Sequence, residues 1–150
     1  MKVYVLHYAY YEDSEIKGVY TEEAMKKELE MYAQWGRANN ERAIANQERR
    51  IKELKKRRKA LGQEDRKIQE KQAELKVVGS EKTEEMKQME KSLKSRRKEL
   101  DREMVQLAMS IQNQEYGLDK MKSLTDKQLA EKEMQRGHLY FEEFYVLGME

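Results

Sequence analysis

Two ladders of apolar residues at seven-residue spacing dominate this chain: Leu54, Leu61, Ile68 and Leu75, then Met86, Leu93, Leu100 and Leu107. If the chain folds back at Gly79-Ser80, the ladders pair as Leu75 with Met86, Ile68 with Leu93, Leu61 with Leu100 and Leu54 with Leu107. The positions in each pair add up to 161. A constant sum is what an antiparallel helical hairpin requires. A second layer, whose positions add up to 162, sets Ile51 against Ile111, Ile44 against Leu118 and Asp65 against Arg97, and Gln47 faces Gln114. Slipping one helix by a heptad would oppose Asp65 to Glu90 and Arg58 to Arg97. These polar seam residues therefore select one register, a known use of buried polar groups in coiled coils. Arg58 falls opposite Met104 and must run its charge out to solvent along its aliphatic stem. Parallel self-dimers would set Asp65 beside Asp65 and Arg58 beside Arg58, which disfavours them.

Composition agrees. Charged residues make up 40 % of the chain and hydrophobic ones 38 %. That is too little apolar material for a large globular core, yet enough for a seam that needs two apolar positions in seven. The chain lacks Pro, which helix interiors exclude, and lacks Cys, which removes disulfides, thiolate nucleophiles and Cys-zinc sites. The net charge of +2 makes no general demand for nucleic acid or a membrane. No apolar run approaches the ~20 residues of a membrane span. Lys2 followed by a Tyr-rich stretch does not read as a signal peptide. A soluble, cytoplasmic protein is expected.

The flanks read differently. Residues 2–11 are rich in β-branched and aromatic side chains and predict a strand. Tyr11 to Glu15 suits a turn and Ile16–Tyr20 a second strand. Thr21 with Glu22 and Glu23 starts a helix, the hydroxyl capping the first turn and the carboxylates favoured at the positive end of the dipole. Met25, Leu29, Tyr32 and Trp35 follow at helical spacing and are expected to cover the sheet. Gly36 with Asn39 and Asn40 suggests a bend. Gly79 suits a left-handed helix cap, and Ser80 or Thr83 opens the return helix. Residues 123–126 are a possible break and restart, Gly137 closes the helix, and His138–Leu147 predicts a third strand. The expected fold is α+β and mostly α: a long antiparallel coiled-coil hairpin inserted in a small three-stranded antiparallel or mixed β head, in the order β-β-α-α-β. Residues 1–36 and 126–150 form the head and 37–125 the stalk, with its turn at 78–83.

Few residues invite chemistry. His7 and His138 could in principle bind a metal with Glu142 or Glu143, but two His at no fixed spacing do not define a site, and no metal or other cofactor is expected. Glu142 and Glu143 are adjacent on a strand and point to opposite faces, so they cannot act on one bond. No phosphate loop, nucleophile elbow or metal motif is present, and no enzyme is expected.

Two features suggest binding. Arg49, Arg50, Lys52, Lys55, Lys56, Arg57, Arg58 and Lys59 stand against Glu53 alone, and the fold-back brings Lys98 and Arg102 near positions 63 and 59. This basic girdle is either a solvated coiled-coil surface or a clamp for nucleic-acid phosphates. No aromatic residue lies between Trp35 and Tyr116, so single strands have no stacking platform. In the head, both faces of the first and third strands are apolar or aromatic, and the helix can cover only one. Tyr4, Tyr8, Tyr10, Tyr140 and Phe144 are the candidate contacts there.

Met1-Lys2-Val3-Tyr4-Val5-Leu6, Gly18-Val19-Tyr20-Thr21-Glu22-Glu23-Ala24 and the closing Tyr140-Phe141-Glu142-Glu143-Phe144-Tyr145-Val146-Leu147 resemble small proteins of unknown function from Gram-positive bacteria and their phages. Those have a β-hairpin, one helix and a last strand; the resemblance covers the head and none of the stalk. It supplies no catalytic residues. It implies a phage or mobile-element source and a small non-enzymatic protein that binds a host protein, for example one of defence, to inhibit or regulate it. The rival expectations are nucleic-acid binding through the girdle and a structural protein that self-assembles.

Overall fold

A computed structural model describes residues 1–147. The chain is an α+β protein, mostly helical, with a three-stranded antiparallel sheet and a long helical hairpin. Its elements are β1 (Lys2–Tyr10), β2 (Asp13–Tyr20), α1 (Glu22–Val78), a 3-10 turn (Gly79–Glu81), α2 (Glu84–Lys122), α3 (Asp126–Arg136) and β3 (Leu139–Tyr145). They fall into two compact units, Met1–Ala45 with Lys120–Glu150, and Asn46–Asp119. The closing positions 148–150 of the expected head lie outside the described residues.

In the hairpin unit, Leu61, Ile68, Leu100, Leu107 and Ile111 form one buried cluster, with Leu54, Leu93 and Met104 packed against it. The expected polar contacts are present. Gln47 Nε2 donates to the Gln114 backbone carbonyl at 3.1 Å and to its side-chain carbonyl. Arg97 Nε lies 3.3 Å from Asp65 Oδ1, and its Nη1 donates to Gln72 at 3.1 Å. Gly79 takes φ 64° at the turn. Thr83, not Ser80, opens α2: its Oγ1 accepts from the Met86 amide at 3.2 Å.

In the sheet unit, the strand order is β2-β1-β3, with both pairings antiparallel, which excludes the mixed alternative. Thr21 Oγ1 accepts from the Ala24 amide at 3.2 Å at the start of α1. The possible break at 123–126 is real, so among the described residues the α-helices number three and the order is β-β-α-α-α-β. Its cause is a capping box: Thr125 Oγ1 accepts from the Gln128 amide at 3.2 Å, and the Gln128 side chain accepts from the Thr125 amide at 2.9 Å.

Two expectations about α1 are corrected. Helix α1 runs unbroken through Gly36, Asn39 and Asn40. Gly36 is a point of close approach: a Cβ there would lie 2.8 Å from the Leu129 carbonyl oxygen. The Asn39 amide donates to Glu133 Oε1 at 3.1 Å, and the Asn40 amide satisfies the Met121 carbonyl at 2.8 Å near the end of α2. Trp35 does not cover the sheet. It is exposed, edge-on to Tyr32 at 5.4 Å, because the packed side of α1 turns through Ala33 and Gly36. The cover that sequence reasoning missed is α3, where Leu129, Ala130 and Met134 are buried. Arg37 ties the two helices, reaching Asp126 at 2.9 Å and Glu30 at 2.8 Å.

Candidate functional site: the open face of the sheet

Residues directly opposite across antiparallel strands point to the same side. β1 sets Leu6 against Phe141 and Tyr8 against Leu139. Leu6 is buried, Tyr20 meets Phe141 edge-on at 5.3 Å, and Leu139 and Phe141 line a cavity with Leu29 of α1 and Met134 of α3. This is the covered face. Burial, then the nearby Glu28 carboxylate, raise the Tyr32 phenol above its ordinary pKa here.

The other face collects Val3 opposite Phe144, Val5 opposite Glu142 and Val19, and His7 opposite Tyr140 and Ile16. Ile16, Val19, Tyr140 and Phe144 are all exposed, Val19 by 66 %, and they flank Val5, which is buried at the middle of the central strand. His7 is its centre. The imidazole stacks on Tyr140 at 4.9 Å and 13°, with Phe144 tilted at 6.4 Å. Its buried Nε2 lies 3.0 Å from Glu142 Oε2 but makes no hydrogen bond to it or to any other group. The result is an apolar and aromatic surface with one carboxylate set among the rings.

Ile16 and Val19 join this face because of an irregularity. They are three positions apart, and simple alternation would put them on opposite sides. The pairing shifts between Leu6 and His7, leaving Lys17 as an extra residue in β2, and the bulge returns Ile16 to the side of Val19. Lys17 turns to the other side, its Nζ 5.5 Å from the Tyr8 ring centre and 3.0 Å from Glu15.

The five aromatic candidates therefore divide. Tyr140 and Phe144 share the open face. Tyr4 and Tyr8 belong to the opposite face, and Tyr10 packs with Tyr11 and His138, each at 4.4 Å. His7 and His138 serve different ring clusters, and no group of three His, Asp or Glu suited to a metal ion occurs among the described residues. Glu142 and Glu143 point apart as expected, Glu142 to His7 and Glu143 to Lys2 at 3.2 Å. Hydrogen bonding to Glu143, then to Tyr145, raises the Lys2 ammonium pKa.

In the hairpin unit, Arg49, Arg50, Lys55, Lys56, Arg57 and Arg58 are all exposed. Lys55 reaches Glu115 at 2.9 Å and Arg57 reaches Glu103 at 4.0 Å. At ~100° per residue the six point around the helix and do not share one surface. Arg49 and Lys56 lie on the outer side of α1, Arg50 and Arg57 on one flank, Lys55 on the other. Arg58 holds a seam position and snorkels.

No protein-family model matches this chain, and no curated protein or solved structure shows significant similarity to it. Among the described residues no helix is long and apolar enough to cross a membrane.

Proposed function

We propose that this chain is a non-enzymatic interaction protein that acts in the cytoplasm of a bacterial host cell. It binds a host protein through the open face of its sheet and inhibits or regulates it. The observation that carries this reading is the one-sided cover of the sheet: α1 and α3 pack on one face, and Ile16, Val19, Tyr140 and Phe144 remain exposed on the other. Such an apolar surface is typical of a contact site. Glu142, whose Oε2 lies 3.0 Å from His7 Nε2 beside the rings, narrows the partner's chemistry. It suits a Lys or Arg flanked by apolar side chains, which would gain an ion pair and ring contacts together. The phage source suggested by the head's resemblance makes a host protein the natural target.

The test is affinity capture from host lysate with the wild-type chain and with Ile16→Glu/Val19→Glu. Both substitutions lie on exposed positions, so circular dichroism should be unchanged. A protein retained by wild type and lost by the variant supports the reading. Identical sets of captured proteins refute it.

A second reading is nucleic-acid binding. Arg49, Lys52, Lys56 and Lys59 follow one another at alternating three and four on the outer side of α1, and none forms an ion pair among the described residues. A duplex mobility shift that weakens steeply with salt, and is lost when Lys52, Lys56 and Lys59 become Glu, would favour it.

A further inference from the structure

Charge is absent from one stretch of the hairpin, Met104–Gln114. Its seam positions, Met104, Leu107 and Ile111, pack toward α1. Yet Val105 and Met109 are 60 % and 59 % exposed, and Tyr116 beyond them is 63 % exposed. These three lie on a second face of α2. Together with Arg102, Gln112 and Asp119 they repeat at alternating three and four residues, the period of a coiled-coil seam, but directed away from α1.

We propose that this second seam binds the same seam of a second copy, antiparallel, about a twofold axis between Met109 and Gln112. The positions that then meet add up to 221: Val105 with Tyr116, Met109 with Gln112, and Arg102 with Asp119. A twofold interface repeats each contact, so the neutral centre is closed at both ends by an Arg-Asp pair. Arg102 and Asp119 are exposed, and neither forms an ion pair within the chain among the described residues. Other arrangements lose this match. A parallel pairing opposes Arg102 to Arg102 and Asp119 to Asp119. A one-heptad slip toward the N-terminus leaves Arg102 facing Gln112 and Asp119 facing Ser95, with no charge neutralised. Arg49, Lys52 and Lys56 lie on the outer side of α1, away from this seam, so association does not bring the two basic stretches together.

The experiment is sedimentation equilibrium on the full chain, wild type and three variants, with circular dichroism as the check on folding. Wild type is expected at twice the chain mass of 18.0 kDa. Arg102→Asp and Asp119→Arg, each alone, oppose like charges at both ends and should weaken dimerisation at least about tenfold. The double variant Arg102→Asp/Asp119→Arg restores both pairs in exchanged positions and should recover the dimer. A wild-type monomer at the highest attainable concentration overturns the proposal. So does a dimer indifferent to the single substitutions, since another surface, or a different partner for this one, would then be at work.

Discussion

Gly36 and Gly62 both lie within α1, and their surroundings give them opposite roles. A methyl group at Gly36 would meet the Leu129 carbonyl oxygen at 2.8 Å and its Cβ at 2.9 Å, whereas nothing lies within 4 Å of the corresponding position at Gly62. Gly36→Ala must push α3 away and should cost about 1–3 kcal/mol. Gly62→Ala only removes backbone freedom from the unfolded chain and should stabilise by about 0.5–1 kcal/mol. Urea unfolding of the two variants checks both signs. The same contrast shows how far single residues can be read in a sequence. Either Gly looks like a weak point in a helix, and only the neighbour across the contact distinguishes them. Trp35 misleads similarly: its spacing from Leu29 and Tyr32 suits a packed face, but the small residues Ala33 and Gly36, which carry little hydrophobic signal, define the side that meets α3.

At the scale of elements, the hairpin's seam combines apolar strength with polar selection. Leu100 is 0 % exposed at the centre of the cluster. Leu100→Ala should cost about 2–5 kcal/mol by chemical denaturation, because both helices hold the walls of the resulting cavity apart. On the flank, Arg96 grips both carboxylate oxygens of Glu64 at 2.8 and 3.1 Å and also reaches Glu99 at 3.2 Å. Those hydrogen bonds hold the Glu64 carboxyl below its usual pKa range and raise that of Arg96. A carboxyl depressed by folding contributes stability above its unfolded pKa and loses it as pH falls through its own lower value. Wild type should therefore exceed Glu64→Gln in denaturation midpoint near neutral pH, and the gap should narrow as pH falls below the ordinary carboxylate range. Both side chains are partly exposed, so the gap should also shrink with salt. These elements were legible because their partners recur at a fixed period. The Asp65–Arg97 and Gln47–Gln114 contacts follow from the same arithmetic as the Leu pairs.

At the scale of the whole molecule, the sheet unit closes by joining the two ends of the described chain. β1 pairs with β2 across a two-residue turn, Tyr11-Glu12, and with β3 from far along the sequence. A chain ending at Lys122 loses α3 and β3, leaves a two-stranded hairpin and uncovers Leu6 and Ala33. A hairpin of that kind is marginal in water. Such a truncation should keep strong helical circular dichroism from the hairpin unit while losing the near-ultraviolet signal of the packed aromatic rings. Retention of that signal would show that β1 and β2 hold their structure without β3.

Amino-acid order alone determined the helical hairpin, its register and its turn. Those depend on patterns that repeat at helical spacing, on residues with local backbone preferences, and on a turn so short that closing it costs little entropy. It could not determine which sheet face stays open. Both faces of β1 and of β3 are apolar or aromatic, so either choice satisfies the local pattern, and a one-residue change of register would exchange them. Packing decided it: α3 settled on the small residues of α1, Leu29 and Met134 met the face that carries Phe141, and the bulge at Lys17 turned Ile16 to the side of Val19.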